Sequence, residues 1–220
     1  SFMFYRSLFI FILIAQTLLH ADDAASLSQE DNMKNCPELT GRVIFPAHEN
    51  YAKARLVSNY YTSKNSFPKA VVYAQSRQDV QNAIKWARCQ NVSIRVRSGG
   101  HNHEGFSTGS DILVIDVSQM KKVEVDKDNH RAAVQPGITG GELYRKLFLE
   151  GFTQVGGTCE EVGISGLILT GGLGPLLRKH GLACDNLISL EIVDAKGDLI
   201  HATKDNEHKD LFWACCGGGG

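Results

Sequence analysis

Two glycine-rich stretches each carry a side chain able to form a covalent bond. The first reads Arg97-Ser98-Gly99-Gly100-His101. Adjacent glycines let successive backbone N–H groups turn toward one point and form an anion-binding nest. Arg97 adds a fixed positive charge and Ser98 a hydroxyl, so the stretch is a candidate cradle for a pyrophosphate. His101 stands at the end of that cradle, within reach of a ligand held there; alone, a loop histidine is equally well explained as a solvated or structurally hydrogen-bonded ring. The second stretch reads Gly156-Gly157-Thr158-Cys159, followed by Gly163-Ile164-Ser165-Gly166. Glycines on both sides of a cysteine let the backbone approach a flat ligand and leave the thiol projecting at it. Ser165 and its neighbouring N–H groups are a further candidate phosphate contact. Reactivity needs thiolate character, which an electropositive and partly exposed loop promotes; the bland alternative is a small buried thiol. A third segment, Thr170-Gly171-Gly172-Leu173-Gly174 and then Arg178-Lys179-His180-Gly181-Leu182-Ala183-Cys184-Asp185-Asn186, reads alone as a packing turn plus a basic helix end.

The elements around these loops define an α+β fold. Ala70-Val71-Val72-Tyr73-Ala74 is a short apolar strand, and Ser76 with Asp79 three residues on forms a capping box for the helix that follows. Val80, Ala83, Ile84 and Ala87 recur at helical spacing as its core face. Residues 93–97 return as a strand that alternates Ile94 and Val96 against Arg95 and Arg97, delivering the first glycine loop. A buried strand is expected over 112–117, then a hairpin of 122–126 and 131–135 turning at Asp128-Asn129. Thr139 and Glu142 make a second capping box. The helix it opens carries Leu143, Tyr144, Leu147 and Phe148 on one face, with Gly151 in the C′ position. Strands at 187–193 and 199–202 and a short helix around 210–213 complete the chain. The pattern divides it into two lobes, with the boundary over 151–159.

Lys+Arg 23 against Asp+Glu 24 leaves no basic excess for nucleic acid and no acidic excess for disorder. Arg6 precedes an apolar run over 8–15 that is too short to span a bilayer, which takes about 20 residues. It suits a secretory leader over 1–21, with small residues at Ala21, Ala24 or Ala25 for cleavage. Residues 22–66 then form an N-terminal segment, and no lasting membrane anchor is expected after leader removal. Export permits disulfides among the 6 cysteines. Cys36 and Cys89 are the candidate pair, with the connectivity left open by the sequence, while Cys184, Cys215 and Cys216 also read as buried apolar residues. His101 and His103 are two apart in a loop and lack paired metal-ligand spacing, so no metal is expected. No Gly-Lys-Ser/Thr closes any glycine loop, which argues against a nucleoside triphosphatase.

The run Arg97-Ser98-Gly99-Gly100-His101-Asn102-His103-Glu104-Gly105 resembles the first flavin-attachment loop of the berberine bridge enzyme-like oxidases. Residues 157–166 resemble the second, and 178–186 and Asp210-Leu211-Phe212-Trp213-Ala214 with the closing glycines resemble later segments. The resemblance covers roughly 67–220. It implies the two-subdomain FAD-binding fold of the vanillyl-alcohol oxidase (PCMH) type, over 67–155 and 156–220, the second subdomain incomplete and the substrate domain absent. It also implies FAD held by two covalent bonds, from His101 to the flavin 8α-methyl group and from Cys159 to carbon 6. Arg97, Ser98, Gly99, Gly100, Gly163, Ser165 and Gly166 would line the diphosphate, and Val193 would pass the adenine. Val162 falls at a gate beside the flavin, where valine goes with access for oxygen. Disulfides joining positions like Cys36 and Cys89 also occur in relatives. The sequence departs from the pattern at Thr170, at His180 in place of a common Tyr, and at Cys216 in place of a common Arg. The chain ends in the glycine run at 217–220, as a fragment would, and the catalytic base of relatives would lie past that point. The implied activity is a secreted oxidase that moves a hydride from a small alcohol or carbohydrate-type substrate to flavin N5, with oxygen as acceptor. The alternative is a flavin-binding fragment without turnover.

Overall fold

In the computed structural model, the described residues are 3–4, 12–14 and 36–219. The expected leader over 1–21 lies outside them except for two short strands, and residues 22–35 of the expected N-terminal segment lie outside them entirely. The two strands are Met3–Phe4 (β1) and Ile12–Ile14 (β2).

The first layer is a sheet in the order β3 (Arg42–Ile44), β4 (Ala70–Tyr73), β6 (Leu113–Asp116), β5 (Ile94–Arg97). β4 and β5 both run parallel to β6, and β3 is antiparallel on the outer edge. Short helices Tyr51–Ala54 (α1) and Tyr60–Asn65 (α2) lead into it. Arg77–Cys89 (α3) crosses from β4 toward β5, and its capping box forms as expected: Asp79 N–H donates to Ser76 Oγ at 3.2 Å, and the Asp79 carboxylate accepts from Ser76 N–H at 3.0 Å. Val80, Ala83, Ile84 and Ala87 are its buried face, packed with Val72, Leu113, Ile115 and Met120 into one core. Cys36 and Cys89 are joined by a disulfide that pins the segment before β3 to the end of α3.

β5 departs from the expected alternation. Ile94 and Val96 are half-buried, and Arg97 is the most buried residue of the strand. The reason is Asp116, opposite it on β6, which gives the guanidinium an internal partner.

The second layer begins with the hairpin of β7 (Val123–Asp126) and β8 (Arg131–Val134), followed by α4 (Gly140–Leu149) and β9 (Phe152–Thr153). α4 carries the Thr139–Glu142 capping box and ends before Gly151, whose φ of +83° is the left-handed C′ geometry that favours glycine. Then come α5 (Ile164–Leu169), α6 (Leu177–His180), a 3-10 turn at Cys184–Asn186, β10 (Ser189–Val193), β11 (Leu199–Thr203) and α7 (Lys209–Ala214). β10 pairs antiparallel with β11 and parallel with β2, while β9 pairs parallel with β1.

The second core runs from Ala132 to Cys215, so the change of core falls between Met120 and Ala132. That is earlier than the boundary expected over 151–159. The hairpin β7–β8 and helix α4 turn their apolar sides toward α5 and β10, which joins them to the later lobe. β10 joins the layers: Leu190 and Ile192 face the second core, whereas Val193 packs into the first.

Candidate flavin site

β5 delivers the first glycine loop, but Arg97 does not offer its charge to that loop. Its guanidinium pairs with the Asp116 carboxylate and donates to Ala54 O at 2.7 Å and Leu56 O at 3.1 Å. With Arg97 5% exposed and Asp116 3% exposed, this is an internal brace holding α1 to the sheet. The expectation of a phosphate-facing charge at Arg97 is therefore corrected: a guanidinium buried this deeply is stable only when paired, and its partners lie on the core side. Ser98 Oγ is also committed, donating to Pro136 O at 2.7 Å, and Ser165 Oγ donates to the same carbonyl at 2.9 Å. Neither hydroxyl is turned to a ligand.

What remains for an anion is backbone. Among the described residues, the N–H groups of Gly99, Gly100 and His101, and of Ser165 and Gly166 at the start of α5, have no hydrogen-bond partner. The two sets are brought together by direct contact of the loops. A Cβ on Gly99 would lie 2.4 Å from Gly163 N, and one on Gly163 would lie 2.4 Å from Gly99 N and 2.3 Å from Ser98 Oγ. These glycines thus allow the loops to touch each other. Gly166 is different: a Cβ there would meet nothing within 4 Å, so it faces open space. Gly99 is two residues before His101 and Gly163 four after Cys159, so both reactive candidates are tethered close to one contact.

The cysteine loop is braced from below by α4. Gly140 N–H donates to Val162 O at 2.9 Å, Gly141 N–H to Glu160 O at 3.0 Å, and Ile164 N–H to Ile138 O at 3.0 Å. Tyr144 completes the brace, its hydroxyl donating to Gly157 O at 2.8 Å. A Cβ on Gly156 would lie 2.2 Å from that hydroxyl oxygen, so the residue must be glycine for the tyrosine to fit. Burial pushes the Tyr144 phenol up to about 12, which keeps it a neutral donor. Above it, Cys159 is a free, exposed thiol. It shares a cavity of about 220 Å³ with Tyr144, Thr158, Val162, Leu167 and Leu173. That is smaller than the roughly 300–1,000 Å³ of closed small-molecule pockets.

His101 is half-exposed in its own loop and does not line that cavity. Val162 does line it. Val193 is fully buried in the first core. The 178–186 segment knits to itself: Asp185 Oδ2 accepts from Leu182 N–H at 2.7 Å, and Asn186 Nδ2 donates to His180 O and Leu182 O. Sequence reasoning missed Asp116 and the bracing role of Tyr144. A signal for the first existed, since a carboxylate ending a fully apolar strand demands a buried partner; the hydroxyl target of Tyr144 had none.

The backbone donors, the glycine contact and the thiol fit the diphosphate and ring of a flavin dinucleotide. A family model described as an FAD binding domain matches residues 68–203. Berberine bridge enzyme-like 18 of Arabidopsis thaliana is 35% identical over 235 residues, an alignment covering 99% of this chain and 44% of that protein. The solved structure of 6-hydroxy-D-nicotine oxidase from Arthrobacter nicotinovorans superposes with a TM-score of 0.78 at 32% identity, covering 83% of this chain and 40% of that one. The structure of Phl p 4, a grass pollen allergen with glucose dehydrogenase activity, gives 0.75 at 32% identity, with coverage of 81% and 38%. The chain spans about 40% of the length of the curated relatives it matches.

Proposed function

The chain belongs to the family of FAD-binding domains carried by berberine bridge enzyme-like FAD-linked oxidoreductases, and on that premise we propose that it is the flavin-holding part of a secreted oxidase with bicovalent FAD. The observation that carries the reading is the Gly99–Gly163 contact, which joins two sets of free N–H donors beside a free, exposed thiol. In the proposed site these backbone donors hold the diphosphate. The His101 imidazole and the Cys159 thiol each supply one covalent bond to the ring, and Tyr144 keeps the cysteine loop at a fixed height through Gly157. When bound, FAD supplies the two-electron acceptor for a hydride from a carbon bearing oxygen or nitrogen, with oxygen as the final acceptor. Val162 leaves the ring side of the cavity open to oxygen. Two tethers would keep the cofactor in place after export, and the Cys36–Cys89 disulfide suits an oxidising compartment. The glucose dehydrogenase activity named for Phl p 4 supports an alcohol or carbohydrate substrate, and the other neighbour is named as an oxidase of 6-hydroxy-D-nicotine. Substrate wall and catalytic base are assigned to the part of the relatives that this chain does not span.

The test is acid precipitation of the purified protein. Flavin colour is expected to stay with the pellet, to persist in His101→Ala and in Cys159→Ala, and to vanish only in the double variant. Complete loss of colour from the parent on denaturation overturns the covalent reading. Peroxide release from a panel of sugars, alcohols and amines, measured on the longest reading frame, separates an oxidase from a flavin binder without turnover.

A further inference from the structure

Three of the thiols lie away from the flavin loops, on the opposite end of α5. Cys184 opens the 3-10 turn before β10, and Cys215 and Cys216 follow α7. All three belong to the second core: Cys184 is 5% exposed, Cys215 is 2% exposed, and Cys216 is partly buried against them. The Cys216 thiol donates to Cys184 O at 4.0 Å across 32 residues of sequence, and the Cys184 thiol donates to Asp185 Oδ1 at 4.0 Å. The glycines after Cys216 fix this geometry, because Gly217 N–H and Gly219 N–H both donate to Leu169 O at 2.9 Å.

We propose that Cys184 and Cys216 are a second disulfide site, closed under the oxidising conditions that make the Cys36–Cys89 bond. The pairing is selective for geometric reasons. Cys215 and Cys216 are neighbours with Cα atoms about 3.8 Å apart, short of the usual 4.4–6.8 Å of a disulfide. Between Cys215 and Cys216, it is the second whose sulfur reaches Cys184, at its backbone carbonyl. Cys216 is also the most exposed of the three, so an oxidant reaches it first. The oxidant class is a low-molecular-weight disulfide such as glutathione disulfide. The Cys216 thiolate attacks one of its sulfurs and releases one glutathione thiol, and the Cys184 sulfur then displaces the second from the mixed disulfide. Two protein S–H bonds are lost and one S–S bond forms; two electrons and the two protons leave with the two glutathione thiols. Burial pushes the thiols of Cys215 and Cys216 up to about 11 and raises that of Cys184. High-pKa sulfurs are scarce as thiolates and poor leaving groups, so closure is slow and the closed bond resists reduction. Its effect would be to clamp the end of α7 to the turn beneath α5, behind the loop contact at Gly163. The proposal holds whether or not the chain carries flavin.

The test is a non-reducing peptide map of the protein secreted by an oxidising host, alkylated with iodoacetamide in denaturant. A parallel sample is first incubated with glutathione disulfide. A linked peptide pair containing Cys184 and Cys216 is expected in both, with Cys215 alkylated and the Cys36–Cys89 link as internal control. In Cys216→Ser, Cys184 should become alkylated while the control link persists. Alkylation of both Cys184 and Cys216 in the glutathione-treated parent overturns the proposal. A link from either of them to Cys215 or Cys159 does so as well.

Discussion

Replacing Gly163 by alanine isolates the contact between the two glycine loops. The backbone there has φ of −65° and ψ of 128°, which any residue adopts, so the cost of a side chain is purely steric. The new Cβ would stand 2.3 Å from Ser98 Oγ, 2.4 Å from Gly99 N and 2.9 Å from Ser98 Cβ. Ordinary carbon contacts lie near 3.5–4.0 Å, so the loops must separate by about 1 Å. Rotating Ser98 away costs its hydrogen bond to Pro136 O, about 1 kcal/mol, and overpacking against backbone adds about 1–3 kcal/mol. The expected loss is about 2–4 kcal/mol. At roughly 2–4 °C per kcal/mol for a chain of this size, that is a melting point lower by roughly 5–15 °C. Gly166→Ala is the paired control. It lies in α5 with nothing within 4 Å of its Cβ, so helix propensity alone should stabilise the protein by up to about 1 kcal/mol. If Gly166 faces the diphosphate, the same variant binds less flavin although it is more stable. Urea melts of flavin-free protein and flavin content per chain give the two readouts. A Gly163→Ala loss under about 0.5 kcal/mol, or a Gly166→Ala loss as large as that of Gly163→Ala, would refute the assignment of these glycines.

Asp116→Ala should cost about 3–5 kcal/mol by leaving Arg97 buried and uncompensated, and Arg97→Met in the same chain should restore part of it in a urea melt. Cys89→Ser should lower stability by about 4 kcal/mol on chain-entropy grounds for a cross-link between residues 53 apart; adding reductant to the parent should mimic the variant. Alkaline stability follows from Tyr144, whose phenol sits near 12 in the folded chain against 10.0 when exposed. The unfolded state loses its proton first, so the contribution is full below pH 10 and is lost as pH rises toward 12; Tyr144→Phe should flatten that limb. At the acid end, burial raises the pKa of Asp79, but hydrogen bonds from Thr40, Gln75 and Ser76 outweigh it and leave it lowered. Its contribution is present above the unfolded value of 3.8 and fades as pH falls through the lower folded value, so Asp79→Asn should blunt acid unfolding.

Local signals in the sequence were sufficient for the helices that begin on Ser76 and Thr139, because a capping box and a core stripe are decided within one or two turns. The same holds for Gly151, the hairpin at 123–134 and the two glycine loops, whose residue types restrict the backbone wherever they occur. Tertiary structure decided who meets whom. Arg97 looked like a ligand for phosphate because nothing in its own strand could neutralise it; Asp116, 19 residues away, did so. Ser98 and Ser165 looked free until Pro136 O took both hydroxyls. Gly99 and Gly163 looked like places for a ligand to approach, and they are first the places where two loops approach each other. Residue type and spacing are local properties, so the sequence by itself marked the two glycine loops and the imidazole and thiol set in them. Burial and pairing depend on chain segments far apart in sequence, so only the folded chain decided which donors are left for the cofactor and which are already committed to the core.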